Sequence, residues 1–145
     1  MKIDCYRRIA VIRDDLIDCL HKLDVSCKKL TVAVEEEDLI IGRGAFMCYL
    51  IDYKSLLFEV VSHLCKTLMI SISSNRVLYL FQSCVDAGYF TVTDMKFFKI
   101  LNSYRISASH RYEQPTIPEL IEFYNNYRDC MEQLVDDLTN LVNNY

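Results

Sequence analysis

TIPELIEFYNNYRDCMEQLVDDLTNL, Thr116 to Leu141, settles the fold class. Its apolar residues Leu120, Phe123, Tyr127, Met131, Leu134, Leu138 and Leu141 recur in steps of three and four. That spacing lines one face of an α-helix and is foreign to the two-residue alternation of a strand. Thr116-Ile-Pro-Glu119 is a T-x-x-E capping box, in which a Thr and a Glu satisfy open N–H groups. Pro118 falls in the first turn, where its missing N–H costs nothing. The stretch predicts a long amphipathic last helix.

The same period recurs upstream. Ile9, Ile12, Leu16, Leu20, Leu23, Cys27, Leu30 and Val34 mark a long first helix. The four acids Glu35 to Asp38 then read as a solvated helix end or loop, and Gly42 and Gly44 as the break before a second helix. That helix carries Phe46, Leu50, Tyr53, Leu57, Val60, Leu64 and Leu68, and SISSN, Ser71 to Asn75, ends it and offers a Ser cap to the next. A short third helix holds Val77, Leu78, Phe81 and Val85, with Gly88 at its left-handed C-terminal cap. Thr93 caps a fourth, with Asp94 favourable against the helix dipole and a stripe of Phe97, Leu101, Tyr104 and Ala108. The expected fold is therefore all-α: an up-and-down antiparallel bundle of four to five helices, three long and two short, in one domain over residues 1–145.

Composition agrees and narrows the function. The 145 residues are 52% hydrophobic and 25% charged, with only three Gly and two Pro, which suits a globular chain of long helices. A net charge of −4 argues against a broad cationic surface for duplex DNA. The seven cysteines are odd in number and include no C-x-x-C pair, so they read as reduced, partly buried thiols of a cytoplasmic protein, with no metal site. The N-terminal MKIDCYRRIA lacks the apolar core of a signal peptide, and the longest uncharged apolar run, Ala45 to Ile51, is too short to span a membrane.

One stretch carries chemistry: YRISASHRYEQP, Tyr104 to Pro115, at the expected end of the fourth helix. Arg105 and His110 are five positions apart, about 140° around an ideal helix, so they do not share a face. They converge if the helix frays near Ser109, or if two copies face each other across a two-fold axis. A neutral His takes a proton from a ribose 2′-hydroxyl, and an Arg holds the phosphate and stabilises its developing charge. The plain alternative is an Arg solvated at a helix end and a His set against the helix dipole. His21 and His63 read as surface or boundary residues, Tyr124 and Tyr127 as core and interface, and Arg7, Arg8 and Arg13 as an exposed helix start.

Read as R-x-x-x-x-H-x-Y, the residues Arg105, His110 and Tyr112 resemble the signature of the HEPN superfamily. The layout of Ser73 to Tyr112, a short helix, a Gly-containing turn and a helix ending in the motif, is similar to the branch of HepT-like toxins and nucleotidyltransferase substrate-binding proteins. The resemblance covers Ile51 to Leu138. It implies a homodimeric bundle with both motifs at the interface, and a ribonuclease pair at Arg105 and His110 that needs no cofactor or metal. It also implies a partner minimal nucleotidyltransferase that modifies Tyr112 with AMP, and RNA or a nucleotide as ligand. Asn102 and Ser109 are possible auxiliary polar groups. Where that family has a polar residue after the motif Arg, this chain has Ile106, which favours the alternative of a non-catalytic nucleotide- or substrate-binding subunit. A helical protein in which the motif is coincidental is the third reading.

Overall fold

The computed structural model describes residues 2–144 apart from 71, 73, 75 and 105–114. Five helices appear among them: α1 (Lys2–Val32), α2 (Glu36–Thr67), α3 (Val77–Asp86), α4 (Met95–Ser103) and α5 (Ile117–Asn143). No strand occurs among the described residues, so the all-α bundle expected from the stripes is what the chain builds.

Contacts at matched heights fix the helix directions. Arg8 pairs with Glu59 near one end of the α1–α2 hairpin, while Cys19 Sγ meets the Tyr49 carbonyl and Leu30 meets Gly42 towards the other. These two helices are antiparallel. Helix α5 runs with α2, because Phe46 abuts Tyr124 and the Tyr53 hydroxyl donates to the Met131 carbonyl at 2.8 Å. Helix α4 runs against α5: Phe97 lies on Phe123 and Tyr127, and Tyr104 meets Phe123 edge-on. Helices α1, α2, α4 and α5 thus alternate in direction, and α3 covers α2 and α4 through Phe81, which stacks on Phe98 with centroids 4.1 Å apart.

The stripes are the core. From Ile9 to Leu30 every apolar position counted on α1 is buried, as are Phe46, Leu50, Tyr53, Leu57, Val60 and Leu64 on α2. Each such side chain contributes about 2 kcal/mol of apolar transfer.

Several local expectations need correction. Val34 is 85% exposed, because α1 stops at Val32 and the chain turns there. Gly42 and Gly44 do not break the pattern; α2 starts at Glu36 and runs through both. A Cβ on Gly42 would stand 3.0 Å from Leu30 Cδ1, so this glycine lets the hairpin helices close up near their shared end. The acids Glu36, Glu37 and Asp38 occupy the first turn of α2, where the helix dipole favours them. Helix α2 ends at Thr67, ahead of SISSN, with Met69 in the left-handed region at φ 53°. No side chain caps α3 at Arg76; Ser74 Oγ instead accepts the Arg76 N–H from two residues back.

Gly88 does sit at φ 82°, and the N–H groups of Gly88 and Tyr89 return to the Val85 and Cys84 carbonyls, a Schellman closure. The cap of α4 is Asp94, one residue after Thr93: its carboxylate accepts from the Lys96 and Phe97 N–H groups. At α5, Thr116 Oγ1 accepts from the Glu119 N–H and donates to Glu119 Oε1. The T-x-x-E pair is joined side chain to side chain.

Polar ties pin the helices. Buried Asp137 on α5 accepts from the Thr91 N–H and hydroxyl and from Gln133, holding the α3–α4 connection. Between α1 and α5, Arg128 donates Nε and Nη2 to the two Asp24 oxygens at 3.0 Å each, and the Tyr124 hydroxyl donates to Asp24 Oδ1. The hydrogen bond from Arg128 holds the Asp24 carboxyl below its usual range, against the opposing effect of burial. A folded-state pKa below the unfolded one stabilises the fold fully above the unfolded value of about 4, and that stabilisation fades as pH falls through the folded value. Asp24→Asn is therefore expected to cost about 1–3 kcal/mol near neutral pH, with the gap from wild type narrowing as pH falls below the ordinary carboxylate value of about 4. Urea unfolding of both proteins at several pH values checks this.

Candidate functional site

The segment singled out by sequence joins α4 to α5. Arg105, Ile106, Ser109, His110 and Tyr112 lie outside the described residues. Ala108, the last position of the expected stripe, also lies outside the described residues; α4 ends at Ser103, and its C-cap Tyr104 is extended at ψ 128°.

What the structure defines is how both ends of this ten-residue segment are held. At the entry, Tyr104 is buried edge-on against Phe123 with centroids 5.1 Å apart. Burial, then the Glu119 charge, pushes its phenol up to about 12, so it packs as a neutral ring. Lys54 of α2 donates Nζ to the Tyr104 carbonyl at 2.7 Å and to the Asn102 carbonyl at 3.1 Å, and lies 5.8 Å from the Phe58 ring centre. These carbonyls belong to the open C-terminus of α4, where a cation meets the negative end of the helix dipole. Asn102, expected as an auxiliary polar side chain, is half-buried in the last turn of α4 and contributes its main-chain carbonyl here.

At the exit, Arg43 of α2 donates Nε and Nη2 to the Pro115 carbonyl at 3.1 and 2.7 Å. Thr116 then caps α5. Arg43 and Lys54 are eleven residues apart, three turns, and so stand on one stripe of α2. Sequence reading missed both. The signal was two cations at helical spacing on a largely apolar helix, with Met47 buried on the same stripe.

Other titratable groups lie elsewhere. His21 is exposed, and His63 is half-buried with Nε2 lacking a hydrogen-bond partner among the described residues. All seven cysteines are free, and five are buried. Burial pushes Cys19 up to about 11, and it also raises Cys84, whose sulfur lies 3.6 Å from that of Cys65. Such thiols stay protonated and are weak nucleophiles at neutral pH. On the opposite side of α2 from Lys54, an open groove of about 830 Å³ lies between the C-terminal half of α1 and the start of α2.

The class these features define is an all-α antiparallel bundle whose α4–α5 connection is fastened at both ends by cations of α2. Comparison with protein-family models, curated proteins and solved structures finds no match. No helix is long and apolar enough to cross a membrane among the described residues.

Proposed function

We propose that this chain is a HEPN-type toxin, an endoribonuclease acting without metal at Arg105 and His110 and silenced when a partner nucleotidyltransferase adds AMP to Tyr112. The observation that carries the reading is the position of R-x-x-x-x-H-x-Y: directly after the C-cap of a short helix and before a long capped one, with Lys54 and Arg43 tying down the flanks.

In the proposed reaction, neutral His110 removes the 2′-hydroxyl proton of RNA. The 2′-oxygen forms a bond to phosphorus, and the bond to the 5′-oxygen breaks. The leaving 5′-oxygen takes a proton from solvent while the His110 imidazolium returns its own to solvent, and the products are a 2′,3′-cyclic phosphate and a 5′-hydroxyl. Arg105 neutralises charge on the non-bridging oxygens. Two copies meeting at this end of the bundle supply one Arg–His pair each. An AMP on Tyr112 adds bulk and negative charge where RNA phosphates must enter.

Purified protein and His110→Ala, incubated with total RNA in EDTA, test this. Cleavage by the wild type alone supports the reading; RNA left equally intact by both defeats it. A second reading, a non-catalytic subunit that presents a nucleotide or acceptor to a nucleotidyltransferase, is favoured by Ile106 and by the net charge of −4. It is supported if the chain forms a complex with such an enzyme while leaving RNA uncut.

A further inference from the structure

Two thiols meet where α3 lies over α2, away from the α4–α5 connection. Cys65 is in the last turn of α2 and Cys84 in the last turn of α3, and both are buried. Their sulfurs stand 3.6 Å apart, in contact. Cys65 Sγ also lies 3.7 Å from the Leu80 carbonyl, so its side chain is turned towards α3. Among the described residues no other two cysteine sulfurs touch. Cys5, Cys19 and Cys27 share α1, Cys48 is exposed on α2, and Cys130 is on α5. A disulfide bond is about 2.0 Å long, so closing the 3.6 Å gap is a change on the scale of a side-chain rotation.

Helix α3 is the kind of element that a covalent tie would hold. It has ten residues, fewer than a helix needs to persist alone, and no side chain caps it at Arg76. It rests on its neighbours through Phe81, edge-on to Phe58 of α2 and stacked on Phe98 of α4. The connection that leads to it starts with exposed Met69 in the left-handed region. Elements of this sort open locally more readily than a central core.

We propose that Cys65 and Cys84 form a reversible redox site, converted by a hydroperoxide into a disulfide that latches α3 onto α2. In the closed fold burial keeps both thiols protonated, so reaction follows a local lifting of α3. Cys65, 7% exposed against 0% for Cys84, then loses its proton to solvent, and its thiolate attacks one oxygen of hydrogen peroxide. The O–O bond breaks, Cys65 becomes a sulfenic acid, and the departing oxygen takes a proton and leaves as water. Cys84 gives up its proton and attacks the Cys65 sulfur. The S–O bond breaks, and its oxygen leaves as a second water. Two thiols and one peroxide thus yield one disulfide and two waters. Small thiols reverse the reaction by exchange. The bond closes a loop over residues 65–84 and keeps Phe81 on Phe98. It involves neither Arg105 nor His110 and does not depend on the function proposed above.

Titration of the full chain with hydrogen peroxide, then alkylation and tryptic mapping without reductant, tests this. Cleavage after Lys54, Lys66, Arg76 and Lys96 leaves Cys65 as the one cysteine of residues 55–66 and Cys84 as that of 77–96. At a dose that oxidises exposed Cys48, these two peptides are expected to be joined, two hydrogens lighter than their sum. Dithiothreitol is expected to part them. The oxidised protein is expected to melt roughly 5–10 °C higher, with slower amide exchange in α3. Cys84→Ala is expected to show neither the bridge nor the shift. Unjoined peptides at that dose, or a bridge from Cys65 to a different cysteine, would overturn the proposal. So would a bridge that leaves melting and α3 exchange unchanged, or an equal shift in Cys84→Ala.

Discussion

Phe97→Ala is expected to lower the stability of the protein by roughly 3–5 kcal/mol, the range for deleting a fully buried aromatic ring. Phe97 has no exposed surface and touches Phe98, Phe123 and Tyr127 at centroid distances of 5.2, 6.1 and 5.3 Å. Helix α4 is only nine residues long, too short to persist without docking. The loss therefore frees α4 from α5 as well as leaving a cavity, and the helix that leads into Arg105 loses its seat. Phe97→Leu keeps most of the volume and is expected to cost under about 1.5 kcal/mol. Urea unfolding with unchanged slope separates the two. A loss under about 1 kcal/mol for Phe97→Ala would mean that α4 does not rest on α5 through this ring.

The second large effect belongs to Lys54. Lys54→Met keeps the apolar stem and removes the ammonium, so the Asn102 and Tyr104 carbonyls lose a charged donor. Hydrogen bonds to a charged group contribute about 1.5–3 kcal/mol each in favourable settings. Half-burial and partial replacement by water put the expected loss for the pair near the lower end. Catalysis is more sensitive than stability, since displacing a reacting group by about 1 Å costs on the order of 100-fold. Single-turnover RNA cleavage by Lys54→Met is thus expected to fall by about that factor while the fold survives, with Lys54→Arg recovering part of it. Equal cleavage by Lys54→Met and wild type would remove Lys54 from any positioning role.

The elements that sequence resolved best were those where one cause acts alone. Thr116 and Pro118 mark the start of α5, and Gly88 marks the turn after α3, because capping geometry is local. The stripes of α1, α2 and α5 became core because a 3–4 spacing can be buried in only one way. The failures lie where a tertiary partner decided. Gly42 reads as a breaker until Leu30 is set against it. Val34 fits the stripe but comes after the turn. Thr93 and Asp94 both suit a cap, and the backbone took Asp94. Arg43 and Lys54 look like ordinary surface cations, since nothing in the sequence tells that the ends of α4 and α5 come to rest on them. Of the candidate site, then, the residues proposed to carry chemistry come from the motif alone and lie outside the described residues, and the residues that fasten its two ends were not legible.

The most direct measurement is the end chemistry of the RNA. With EDTA present, the wild type is expected to release fragments ending in a 2′,3′-cyclic phosphate and a 5′-hydroxyl, and His110→Ala is expected to release none above background. Fragments with a 3′-hydroxyl and a 5′-phosphate, or cyclic-phosphate ends produced equally by His110→Ala, would contradict a 2′-oxygen attack driven by that imidazole.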